Sequence, residues 1–221
     1  MKAKIISFGN MKGGVGKSTL ATIMATFLFN KEKKVLILDC DDFQKTIFKT
    51  REEELENNQN NNGFEIIATN SEDASSLIEN LENSFDYIFI DLPGNLKQKG
   101  VLELYTYVDY LFIPTRFTDD DLDAAFEFLN LINKHILPIR KEAGLKTTIN
   151  GIAYMEDSKS KEYKDYLKQK NELSLNFLES NIPNSRILIR KKSTFNDLNY
   201  VTNTYNIGHF YKEIIKILEN E

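Results

Sequence analysis

Eight consecutive residues, Lys12-Gly13-Gly14-Val15-Gly16-Lys17-Ser18-Thr19, combine three glycines with two lysines and two hydroxyls. The glycines let the backbone turn successive N–H groups toward one point, and the lysines and hydroxyls surround that point with donors. The segment therefore reads as a cradle for a phosphate chain. In this reading Lys17 supplies charge to the terminal phosphates, Ser18 offers its hydroxyl to Mg2+, and the following helix points its positive end at the anion. The strict pattern G-x-x-x-x-G-K-[ST] fails at its first position, because Met11 stands five residues before Gly16. Carboxylates recur downstream. In Leu38-Asp39-Cys40-Asp41-Asp42-Phe43-Gln44, strand alternation sends Asp39 and Asp41 to one side and Cys40 to the other. One of the two acids can order water around Mg2+ and the other can position an attacking water. A third, Asp91, closes the apolar run Tyr87-Ile88-Phe89-Ile90, the pattern that sets a carboxylate beside a nucleotide-bound Mg2+.

The elements that must carry these groups are legible as short apolar runs. Ile5 to Phe8, Val35 to Leu38, Phe64 to Ala68, Tyr87 to Ile90, Tyr110 to Ile113 and Ile149 to Ala153 read as buried strands. Leu20, Ile23, Met24, Phe27 and Leu28 form the stripe of a helix packed on a sheet. Leu122, Ala125, Phe126, Leu129 and Ile136 form a second stripe, interrupted at Asn133. The alternation predicts an α/β fold: a mostly parallel sheet with helices on both faces and a ligand at the strands' C-terminal ends. The tract Asn57-Asn58-Gln59-Asn60-Asn61-Asn62-Gly63 reads as a surface loop.

The chain has 221 residues, 28 Lys and Arg against 33 Asp and Glu, a net charge of −5, and 41% apolar residues. These values predict one globular domain over 1–221 and exclude a polybasic nucleic-acid binder, so any DNA contact must be a local patch. A lone cysteine, Cys40, cannot form an intrachain disulfide or a thiolate metal site within one chain. Met1 to Gly9 lacks a signal-peptide core and no run of about 18 apolar residues occurs. A cytoplasmic protein with no membrane span is expected.

The additional lysine ahead of the glycines, in Lys12-Gly13-Gly14-Val15-Gly16-Lys17-Ser18, closely resembles the deviant Walker A motif of the ParA/MinD family of P-loop ATPases. The resemblance runs in order from Lys4 to about Met155 and more loosely beyond. It implies ATP and Mg2+ as cofactors and a homodimer in which Lys12 reaches across to the partner's phosphates. It assigns Lys12, Lys17 and Asp41 to catalysis, with Asp41 on the hydrolytic water, and Ser18, Asp39 and Asp91 to the metal. Residues Lys12 to Thr19 are the nucleotide loop. Two departures stand out: Asp42-Phe43 where the family has a single proline before the glutamine, here Gln44, and Gly94 where it commonly has proline. Resemblance also places adenine beside a strand–turn, here Ile182-Pro183-Asn184-Ser185, so that Pro183 and Ser185 are the expected contacts, and it places the acidic helix start at Thr118-Asp119-Asp120-Asp121 near the dimer interface.

Within that family a single cysteine excludes iron-protein branches, whose four-iron cluster needs four thiolates per dimer. The C-terminal stripe Ile207, Phe210, Tyr211, Ile214, Ile215 and Leu218 carries more acid than base and reads as a docked core helix rather than a membrane tail. Between Asn184 and Ser193 lie Arg186, Arg190, Lys191 and Lys192 with no acid, and Lys159 to Lys170 holds five further lysines. Family resemblance places DNA contacts in this half. The expected function is a partition ATPase that binds DNA non-specifically as an ATP-bound dimer and hydrolyses ATP slowly until a ParB-like adaptor stimulates it. Such a protein is nucleoid-associated. The alternative is a MinD-like or cargo-positioning switch that acts on protein partners without DNA. A small-substrate P-loop ligase is the third reading. With the first strand starting at once, operator reading by an N-terminal helix-turn-helix domain is not expected.

Overall fold

The computed structural model describes residues 2–41, 44–57, 63–156, 161–169, 173–183, 193–195 and 207–219. In chain order the elements are β1 (Lys4–Phe8), α1 (Lys17–Phe29), β2 (Val35–Asp39), α2 (Thr46–Asn57), β3 (Glu65–Ala68), α3 (Ala74–Leu81) and β4 (Tyr87–Asp91). There follow α4 (Val101–Leu104), β5 (Tyr110–Thr115), α5 (Asp119–Leu131), α6 (Leu137–Glu142), β6 (Thr148–Glu156), α7 (Lys161–Gln169), β7 (Phe177–Pro183) and α8 (Gly208–Glu219). The seven strands form one sheet in the order β3-β2-β4-β1-β5-β6-β7. Every pairing is parallel, from β2 with β3 to β6 with β7.

Parallel strands buried on both faces need apolar side chains in both directions, which is why β2 and β4 are continuous apolar runs with every residue buried. Ile37 and Phe89 face one core with α1 and α8, where Leu20, Ile23, Met24, Phe210 and Ile214 pack. Leu36 and Ile88 face the other, where Ile78 of α3, Leu104 of α4 and Phe128 and Leu129 of α5 pack. The C-terminal stripe docks as expected, with Ile207, Phe210, Tyr211, Ile214 and Leu218 buried and Tyr211 stacked on Phe27 of α1 at 4.1 Å. Among the described residues no helix is long and apolar enough to cross a membrane.

Three details differ from the sequence expectation. Strands β2 and β4 extend into their terminal carboxylates, Asp39 and Asp91, which are themselves register partners. Phe64 lies just ahead of β3, buried against the first core. The second helical stripe is offset: after α5 the backbone makes a π-helical turn over Ile132–Ile136, and the buried positions are Ala125, Phe128, Leu129, Ile132 and Ile136, with Asn133 exposed. The offset begins within α5, where Phe128 packs edge-on against Tyr105 while Leu122 and Phe126 are only partly buried.

β1 occupies the middle of the sheet, with β4 on one side and β5 on the other. This reversal of strand order opens a crevice at the strands' C-terminal ends. Phe112 of β5 supports the floor there, its ring 5.6 Å from Phe8 and its carbonyl accepting from the Gly9 N–H at 2.9 Å. Phe112→Ala is expected to lower stability by about 3–5 kcal/mol through the cavity it leaves, measured by urea unfolding of nucleotide-free protein.

Candidate nucleotide site

The loop between β1 and α1 is shaped by a buried asparagine. Asn10 donates its side-chain amide to the Pro114 carbonyl at 2.9 Å and accepts from the Lys12 N–H at 2.9 Å, clamping the loop's start to the end of β5. At the loop's end Gly16 has φ +92°, a left-handed conformation that glycine adopts at little cost. It is the N-cap of α1 and offers no side-chain cap, and the first turn holds no acid. The N–H groups there have no side-chain acceptor from the cap, which is the arrangement that receives an anion. The contrast with α5 is direct: Thr118 caps that helix, accepting from the Asp121 N–H, and three acids fill its first turn.

A cavity of about 310 Å³ opens over this helix end. It is lined by Gly13, Gly14, Gly16, Lys17, Ser18 and Thr19 on the loop side, by Asp41, Gln44 and Thr46 after β2, by Leu92 and Gly94 after β4, and by Tyr154 of β6. Val15 turns its side chain into the protein and is buried. Lys17 faces the cavity, its Nζ 3.2 Å from the Lys12 carbonyl. Burial lowers its pKa, opposed by the charges of Asp91 and Asp41. Lys12 turns the other way, its Nζ 2.5 Å from Asp121 Oδ1. The partner carboxylate is buried and accepts from the Thr118 hydroxyl at 2.9 Å. Burial alone would raise the Asp121 pKa, but bonds from Lys12 and Thr118 and the charges of Lys12 and Arg116 bring it below its ordinary value.

Asp39 divides its two oxygens. Oδ2 accepts from the Ile47 and Phe48 N–H groups, each at 3.0 Å, and so anchors the first turn of α2, while Oδ1 is buried with no hydrogen-bond partner. Asp91 also keeps one oxygen, Oδ1, buried and without a partner. Its pKa is raised to about 7, chiefly by burial; the Ser18 hydroxyl bond and Lys17 oppose the rise, and the charges of Asp39 and Asp41 add to it. Burial likewise raises Asp39, against three backbone N–H bonds. Two unsatisfied carboxylate oxygens beside the Ser18 hydroxyl are a hard-oxygen donor set, which fits Mg2+. Asp41 receives the Gln44 N–H at 3.0 Å on its side chain and the Lys45 N–H at 2.9 Å on its carbonyl, and the tight turn brings Gln44 to the cavity wall. Asp42 lies outside the described residues.

Gly94 has a steric reason to be glycine: a Cβ there would lie 2.7 Å from the Met11 carbonyl oxygen and 3.4 Å from Lys17 Nζ. Sequence reasoning passed over Asn10, Thr46 and Tyr154. Asn10 carries a faint signal, a polar residue at the end of an apolar strand; Tyr154 carries none. Pro183 closes β7, but its side chain, Ser185, Arg186, Arg190, Lys191 and Lys192 lie outside the described residues.

With that geometry in place, the comparisons with known proteins are specific. A family model described as an AAA domain matches residues 3–74, from the start of β1 to the start of α3. A Borrelia burgdorferi B31 protein assigned to plasmid partition, solved with AMPPNP, is 24% identical, with 98% of each chain covered and a TM-score of 0.66. The ParA of pNOB8, solved bound to nonspecific DNA, is 18% identical, with 99% of each chain covered and a TM-score of 0.67. Cobyrinic acid a,c-diamide synthase from Mycobacterium smegmatis, solved with an ATP analogue and magnesium, is 17% identical over 98% of this chain and 96% of that one, with a TM-score of 0.69. These likenesses define the class by its fold, a P-loop NTPase with an all-parallel sheet. The Borrelia partition protein and the pNOB8 ParA share this fold over nearly their whole length.

Gly16→Ala is expected to cost about 2 kcal/mol or more, because the left-handed backbone is strained for alanine and the new Cβ would lie 2.2 Å from Tyr154 Cζ. Thermal unfolding, with ADP binding by calorimetry on the folded fraction, measures both consequences.

Proposed function

We propose that this chain is a ParA-type partition ATPase: it binds ATP with Mg2+, closes a nucleotide-sandwich homodimer, binds DNA non-specifically, and releases it when a ParB-like adaptor stimulates hydrolysis. The observation that carries this reading is the divergence of the two loop lysines. Lys17 points into the cavity, while Lys12 points out of it toward the N-terminus of α5. A single-subunit phosphate site has work for the first lysine; a sandwich dimer would give the second a role once it exchanges Asp121 for the partner's phosphates.

In this mechanism the N–H groups of Gly13 to Thr19 and the Lys17 ammonium hold the phosphates. Asp41 orients the hydrolytic water, with alignment and charge neutralisation supplying most of the catalysis. Ser18, Asp39 and Asp91 would hold Mg2+, which when bound neutralises charge on the phosphates. Ser18 acts on the Asp91 carboxylate, and each of the two carboxylates has an oxygen to give. Lys12 crosses to the partner's phosphates. Pro183 and Ser185 contact adenine, and Arg186, Arg190, Lys191 and Lys192 form the DNA-binding patch, whose affinity comes from phosphate neutralisation. The protein acts in the cytoplasm at the nucleoid. The DNA-bound structure of the pNOB8 ParA supports the DNA step, and the AMPPNP-bound Borrelia structure supports the nucleotide step.

The test uses Asp41→Ala. Hydrolysis should fall by about a hundredfold or more, and light scattering after size exclusion should find a dimer with ATP and a monomer with ADP. The ATP form should bind random duplex DNA with an affinity that falls steeply as salt rises. An ATP-dependent dimer that ignores DNA would transfer the switch to a protein partner. A monomer in ATP would remove the role given to Lys12.

A further inference from the structure

Tyr154 stands in the cavity wall without belonging to any motif that carries the nucleotide reading. It lies near the C-terminal end of β6, and its ring is among the largest wholly buried side chains. The ring atoms nearest a Cβ built on Gly16 are Cζ at 2.2 Å, Cε2 at 2.5 Å and Cε1 at 2.6 Å, so the hydroxyl end meets the junction of loop and helix. Thr19, in the first turn of α1, lines the same cavity. Arg116, which donates to the Gly14 carbonyl at 3.3 Å, acts on the Tyr154 hydroxyl electrostatically. A phenol both donates and accepts, so the hydroxyl can bond to an anionic oxygen of a ligand. Burial raises its pKa, and the proton stays on at neutral pH.

The sheet order gives this group its place along a bound ligand. Asp91 and Asp39 end β4 and β2, the first and second strands on one side of β1, whereas Tyr154 is on β6, two strands to the other side. A phosphate chain crossing the crevice with its reacting end at the carboxylates has its nucleoside end at Tyr154. We propose that the Tyr154 hydroxyl is a nucleotide-binding group that, together with Thr19, holds the phosphate nearest the nucleoside. The inference rests on the ATP-binding reading above and adds to it a residue outside the motifs.

Tyr154→Phe keeps the ring beneath Gly16 and removes only the hydroxyl. Calorimetry should find ADP and ATP weakened by the same factor, roughly tenfold for a bond to a charged group. The unfolding transition of nucleotide-free protein should show the variant folded at the temperature of the binding measurement, so that the lost affinity is not a lost fold. Unchanged affinities for both nucleotides, or a loss confined to the hydrolysis rate, would overturn the inference. Lys17→Ala in parallel separates the two levels. If that variant still binds ADP as the parent does, the nucleotide reading fails; if it loses ADP while Tyr154→Phe binds normally, only the role of Tyr154 fails.

Discussion

Charge balance in a dry crevice is the constraint on which the rest of this structure depends. One ammonium, Lys17, lies between Asp41 and Asp91, Asp39 adds its charge to Asp91, and burial acts against the charged form of Lys17, Asp39 and Asp91. The same crevice ends in a helix N-terminus that carries partial positive charge and receives no acidic residue of its own. A site with spare carboxylate oxygens on one wall and spare N–H groups on the other is suited to a cation and an anion taken together, each relieving the field of the other. Magnesium nucleotide is such a pair. A bare anion would meet the carboxylates, and a bare cation the helix end.

Much of this was legible in the sequence because it depends on local pattern. Glycine, lysine and hydroxyl spacing defined the loop, and apolar runs defined the strands that hold it. Asp39, Asp41 and Asp91 could be placed together because each ends or follows a strand of a parallel sheet, and such strands deliver their C-terminal ends to one edge. The remainder is tertiary. Tyr154 is indistinguishable by pattern from the buried strand residues around it, and its contact with Gly16 exists only because β6 lies two strands from β1. The stripe of α5 misled in its middle, because Phe128 is buried by its contact with Tyr105, a tertiary pairing that no spacing rule carried from Leu122 could register.

The divergence of Lys12 and Lys17 follows from the same local geometry. Asn10 fixes the start of the loop against β5 and Gly16 turns its end into α1, so the peptide between them presents opposite sides to the crevice and to α5. Of the three acids that begin α5, Asp121 alone is buried, where Thr118 and Lys12 hold it. Asp119 and Asp120 stay at the surface, where they complement the helix dipole.

Asp39 serves two structures with one side chain. Its Oδ2 is committed to the first turn of α2, while its Oδ1 is buried without a hydrogen-bond partner beside the register partner Asp91. An amide in its place would have a single carbonyl oxygen, able to face the helix or the crevice but not both, while its NH2 met either the α2 N–H groups or the cation. Asparagine, ordinarily the mild isostere of aspartate, is at this position a choice between an intact second helix and an intact buried acceptor. The anchoring of a helix and the chemistry of the site are inherited together, through two atoms of one residue.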